Sequence, residues 1–159
     1  MIMLRAIAAL IFVMTMNSPI FAFSAASLPE ELGNWRLSSE YITDLITSEN
    51  LGRWTSASYA RSEPPAHIEV QLTEGPGPGR LFVPEGMIFS DDGPIGFSST
   101  YETLNVAGRR AVLERSDITG QALAVALETQ TVTFEARGIS REELLDFAEN
   151  MIGSIWHNH

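Results

Sequence analysis

The chain has no cysteine and no lysine. Without cysteine there are no disulfides, no thiolate nucleophile and no cysteine metal site, and no residue to acylate as in a lipoprotein. Without lysine, ten arginines are the only strong cations, set against 20 acidic residues for a net charge of −10. Nucleic acid and anionic membrane both need a basic face, so such a balance argues against either as a partner. The acidic residues are spread along the chain, as on a solvated, soluble surface. Glycine-rich dinucleotide, Walker, HExxH and Gly-x-Ser-x-Gly patterns are also missing, and with them the commonest local signatures of catalysis.

Long apolar runs are scarce as well. The one clear run, Ala6 to Met14, is too short to span a bilayer, which takes ~20 residues. Arg5 precedes it, Asn17-Ser18-Pro19 breaks it, and Ser24-Ala25-Ala26 offers a small-x-small cleavage site. This is the layout of a secretory signal over residues 1–26, with cleavage after Ala26 and Ala22 as the second choice. An uncleaved N-terminal anchor is the alternative. Export places the protein in the periplasm or outside the cell, with no stable membrane anchor after cleavage. The remaining 133 residues, 27–159, are enough for one domain with one core. They keep nine arginines and all 20 acidic residues, a net charge of −11.

The clearest element present is the last. Ile139-Ser140-Arg141-Glu142-Glu143-Leu144 matches a capping box, in which Ser140 and Glu143 satisfy each other's backbone N–H groups and Ile139 staples to Leu144. Leu144, Phe147, Ala148, Met151 and Ile155 follow at helical spacing, with Leu145 and Ile152 widening the stripe. Gly153 is expected to stop this helix. Before it come four strands. Thr100 to Val106 and Arg109 to Ser116 meet at an Ala107-Gly108 hairpin. Gln121 to Glu128 is apolar on both faces, so its alanines are expected to lie under the helix or a neighbouring loop. Thr131 to Ala136 alternates with one wet face.

Further upstream, Leu28 to Gly33 reads as a turn or single helical turn, and Asn34 to Leu37 as the start of a strand anchored by Trp35. Ser39 to Ser48 places Tyr41, Ile42, Leu45 and Ile46 at helical spacing, so a helix capped by Ser39 is expected. Trp54 to Arg61 and His67 to Thr73 read as strands separated at Pro64-Pro65. In the second, Ile68, Val70 and Leu72 face inward and His67, Glu69 and Gln71 outward. The sum is an α+β fold: a single domain with a curved, mainly antiparallel sheet and the C-terminal helix packed on one face.

Few residues carry chemistry. His67 and Glu69 sit two apart on one strand and point the same way, as an acid–base or metal pair requires, but also as any wet strand face does. Asp91 lies in Ser90-Asp91-Asp92-Gly93-Pro94, which lacks the spaced ligands of a calcium loop. His157 and His159 flank Asn158 at the extreme C-terminus, which is not a preorganised site. Glu74-Gly75-Pro76-Gly77-Pro78-Gly79-Arg80 is glycine-rich, but its prolines remove N–H donors that a phosphate cradle needs. Trp35, Trp54 and Trp156 are more readily core than pocket. No catalytic, cofactor-binding or metal-binding residue is assigned.

The Gly108 hairpin, the Ala122–Leu127 and Thr131–Ala136 strands and the Ser140-Arg141-Glu142-Glu143-Leu144 cap together resemble the end of certain small bacterial exported domains of unknown function. More loosely, they are similar to the Mog1/PsbP-like α+β sandwich. The resemblance covers about a third of the chain. Its matching residues are structural, so it implies a fold and no catalytic position. The expected function is a non-catalytic exported module that binds a protein or small ligand. Two alternatives are a hydrolase with a dispersed site such as His67, Glu69 and Asp91, and a lipid carrier with an apolar cavity between sheet and helix.

Overall fold

The computed structural model describes residues 28–46, 51–74, 81–86, 88–91, 93, 98–128 and 130–156. The expected signal (1–26), the glycine-rich loop from residue 75 to 80, and His157 and His159 lie outside them.

The first four strands run as a ladder. They are β1 (Glu31–Leu32), β2 (Trp35–Ile46), β3 (Leu51–Ser62) and β4 (Pro65–Glu74). A second ladder follows: β5 (Phe89–Asp91), β6 (Ser99–Val106), β7 (Arg109–Ser116), β8 (Gly120–Ala126) and β9 (Gln130–Ala136). The sheet order is β1-β2-β3-β4-β9-β8-β7-β6-β5, with every neighbouring pair antiparallel. The two ladders therefore join through one non-local pairing, β4 with β9. The helix α1 (Arg141–Trp156) ends the described chain. The result is an open nine-stranded antiparallel sheet with one C-terminal helix. It is mostly sheet, so α+β fits it only loosely.

Of the segment expected as a helix over Ser39–Ser48, residues 39–46 are instead most of β2, and residues 47 and 48 lie outside the described residues. Ten residues of β2, from Arg36 to Ile46, pair with β3. The β-branched and aromatic residues Tyr41, Ile42, Thr43 and Ile46 suit a strand, and pairing to a neighbour overrides a short helical periodicity. A bulge at Leu37/Ser39 also hides the strand in the sequence. It shifts the alternation by one, so Leu37 and Glu40 share a face and the period of two is lost where a reader looks for it. The helix α1 runs on to Trp156, past the stop expected at Gly153.

One face of the sheet carries the core. Tyr59, Ile68, Val70, Leu72, Val132, Phe134, Leu123, Val125 and Leu113 are buried together with Leu144, Phe147, Ala148, Met151, Ile152 and Ile155 of α1. At the centre Phe147 meets Trp35, Tyr59 and Phe134 edge-on, at centroid distances of 5.5, 5.3 and 6.0 Å. The cap forms as the sequence dictates. The Glu143 N–H donates to Ser140 Oγ at 3.1 Å, and the Ser140 N–H donates to Glu143 Oε2 at 3.0 Å. Arg61 lies over the Trp35 ring, 4.7 Å from its centroid, and its guanidinium reaches Glu143 at 2.7 Å, which fixes the helix start to β3.

Between β4 and β5, residues 81–86 and 88 lie across the other face. The Leu81 N–H donates to Thr131 Oγ1 on β9, and Arg110 on β7 donates to the Pro84 and Gly86 carbonyls. The Thr103 hydroxyl on β6 donates to the Gly86 carbonyl and accepts from the Ile88 N–H. Residues 81–86 thus pass over β8 as well, and the half-buried Ala124 and Ala126 lie beneath that path. The alanine face of β8 serves the loop, and its Leu123 and Val125 serve the helix.

Candidate functional site

Of the residues singled out in the sequence, His67 and Glu69 come together and Asp91 does not join them. His67 Nε2 stands 3.5 Å from Glu69 Oε1, both on the face away from α1, with His67 exposed and Glu69 half-buried. Glu69 also accepts a short hydrogen bond from Ser58 Oγ and lies directly across from Glu135. Asp91 ends β5 on the helix face, where it accepts the Gly93 N–H at 2.7 Å and closes a turn. Five strand spacings of ~4.8 Å separate β4 from β5, so Asp91 lies ~24 Å from His67 and on the opposite side of the sheet. Trp35 and Trp54 also take opposite faces, with Trp54 edge-on to Tyr41 at 6.2 Å. Among the described residues no three His, Asp or Glu side chains are grouped to hold a metal ion. No helix among the described residues is long and apolar enough to cross a membrane. The space between α1 and the sheet is filled by the core side chains.

A different group of residues does converge. A cleft of about 630 Å³ opens where β6 and β8 begin and β7 and β9 end, beside the N-terminus of α1. Three arginines line it: Arg115, Arg137 and Arg141.

Each is placed by its local structure. Arg115 is the penultimate residue of β7, exposed and paired with Gln121 of β8. The next residue, Ser116, accepts from the Ile118 and Thr119 N–H groups at 3.2 and 3.4 Å, which folds the β7–β8 turn over one wall. Arg137 follows β9, and its Nε donates to the Thr119 carbonyl at 2.9 Å, tying it to that turn. Gly120 makes this possible. Its φ is +93°, and a Cβ there would meet the Ala136 carbonyl oxygen at 2.4 Å and Arg137 Cγ at 2.7 Å. Gln121 Nε2 donates to the Ile139 carbonyl at 2.8 Å, holding β8 to the start of the helix.

Arg141 is the first residue of α1, and its Nε donates to Glu102 Oε1 at 2.7 Å. A cation there opposes the helix dipole, a cost of roughly 0.3–1 kcal/mol. Among the described residues Arg115 and Arg137 make no ion pair. The cleft lining holds one acidic residue, Asp117, against three arginines. In a chain of net charge −10, this is a local reversal of sign.

Little in the chain's local patterns announces it. The three arginines are 22 and 4 residues apart and belong to no motif. Only the topology, which brings the ends of β7 and β9 to the start of α1, assembles them. Gly120 after Asp117-Ile118-Thr119 is visible as turn chemistry, but nothing local shows which carbonyl it makes room for. No protein-family model matches the chain, and no characterised protein or solved structure was found to match it. The similarity to the Mog1/PsbP-like sandwich thus rests on the sequence pattern alone.

Proposed function

We propose that the protein is an exported, non-catalytic binding module, and that the arginine cleft holds the acidic group of its ligand. One observation carries the reading. Three of the nine arginines beyond residue 26 line one cleft of an otherwise acidic chain, and two of them have no carboxylate partner among the described residues. Guanidinium groups offer several N–H donors in a fixed plane, which suits bidentate binding of carboxylate, phosphate or sulfate. The positive end of α1 adds to the same potential. A volume of about 630 Å³ suits a small ligand or one acidic side chain of a larger one. The donors that line it suit the binding of an anion.

The test is a titration of the protein with inorganic phosphate and, separately, succinate, followed through the arginine Nε–Hε NMR signals. Arg115, Arg137 and Arg141 should shift saturably, while Arg36 and Arg109, held by Glu31 and Glu128 elsewhere, stay unmoved. Equal, unsaturating shifts of all five would refute a built site.

A further inference from the structure

The two edges of the sheet are unlike each other. At one, β5 is three residues long. At the other, β2 is twelve residues long and its outer side is mostly bare. The strand β1 pairs only with Trp35 and Arg36, and the Leu37 N–H donates to the Glu30 carbonyl at 2.8 Å. From Ser38 to Ile46 no strand among the described residues pairs with the outer side. Nine residues at ~3.3 Å each leave ~30 Å of strand edge with backbone donors and acceptors open.

Exposed edges are usually blunted by proline, lysine, shortness or repeated bulges. Here there is no proline and no lysine, and the single bulge lies at the start of the bare stretch. After it the register with β3 is regular through Ile46. Tyr41 on one face and Ile42 on the other are 63% and 49% exposed, so apolar side chains flank the open backbone on both sides. Where β1 stops, a notch of about 580 Å³ opens against β2, lined by Glu30, Glu31 and Glu40. Its one cation, Arg36, is held by Glu31 at 2.8 Å. Asp44 is met by Arg53 at 3.2 Å, whereas Glu40 has no ion-pair partner among the described residues.

We propose that the outer edge of β2 receives an extended basic segment of a partner polypeptide as an added strand, with a lysine or arginine of that segment seated in the acidic notch. Backbone pairing supplies the affinity and the notch sets the register. A second copy of the chain is the poorer occupant. It has no lysine and would bring the same acidic surface against itself.

The probe is a nine-residue peptide alternating lysine and valine. Two controls are the same peptide N-methylated at alternate residues and one alternating glutamate and valine. The lysine peptide should bind and slow hydrogen exchange at amides between Ser38 and Ile46. Both controls should fail to do so. Glu40→Lys, an exposed change that leaves the fold intact by circular dichroism, should weaken binding about tenfold or more, as loss of a charge-assisted contact does. Ile42→Lys should weaken it as well. Three results would overturn the proposal. The N-methylated peptide could bind equally, which makes the attraction mere charge. Protection could fall outside β2. The free protein could already be a dimer through this edge, which makes the second copy the occupant.

Discussion

The helix passes one kind of environment at its middle and begins in another. Around Phe147 the buried rings of Trp35, Tyr59 and Phe134 meet its own ring edge-on. Two turns earlier, at Arg141, like charges gather beside the positive helix end around an open cleft. The first arrangement lowers the free energy of the fold. The second gives part of it up, since neighbouring arginines repel each other and an arginine at a helix start opposes the dipole. A bound anion would offset that cost, because a ligand that binds only the folded state stabilises it.

Substitutions should separate the two regions by size of effect. Phe147→Ala removes the ring that touches Trp35, Tyr59 and Phe134, and should lower unfolding free energy by ~3–5 kcal/mol in urea titration. Gly120→Ala tests the join between core and cleft. Its Cβ must displace the Ala136 carbonyl or the Arg137 stem, at a backbone angle that L-residues avoid, so on the order of 1–3 kcal/mol is expected. It should also weaken anion binding, because Arg137 moves. Ser140→Ala removes the cap shared by both regions and should cost ~0.5–2 kcal/mol. Arg115→Ala should change stability by no more than about 0.5 kcal/mol, as an exposed side chain without an ion pair. A large loss there would erase the contrast.

The pH dependence sharpens the same contrast. The Glu143 carboxyl is held below the usual carboxylate range, first by the Ser140 N–H and then by Arg61. Its contribution to stability is present above its unfolded-state pKa and is lost as pH falls through the depressed value. Glu143→Gln should therefore flatten the acid limb of the stability curve. Glu74 behaves oppositely. It is buried beside Gln130, whose Nε2 donates to Glu74 Oε1 at 2.6 Å, and burial pushes its pKa up while Arg53 pulls it down. Its ionised form costs stability above the raised value, and that cost disappears as pH falls toward the ordinary carboxylate range. Glu74→Gln should stabilise the protein at neutral pH, read as a rise in Tm.

The helix and most of the strands from β4 onward were legible because their signals are local. The cap at Ser140 and Glu143, the buried face from Leu144 to Ile155, the Ala107-Gly108 hairpin and the alternation in β4 and β9 each depend on neighbours in sequence. The strand β2 reads as a helix because Tyr41, Ile42, Leu45 and Ile46 fall at helical spacing while the bulge at Leu37/Ser39 breaks the alternation of a strand. The arginine cleft was invisible for another reason. Its three arginines meet only once β7, β8 and β9 pair in register and the helix start lies beside the β7–β8 turn. His67 and Glu69 were found as neighbours, as two residues on one strand face must be, but Asp91 could be joined to them only by a topology that this chain does not have.

The most direct measurement is a calorimetric titration of inorganic phosphate into the wild-type chain and into the Arg115→Ala/Arg137→Ala double variant, at low and high salt. The arginine cleft predicts one saturable site in the wild type that weakens with salt, and its loss in a double variant whose Tm is unchanged. Binding of equal strength in both proteins, or none in the wild type, would contradict it.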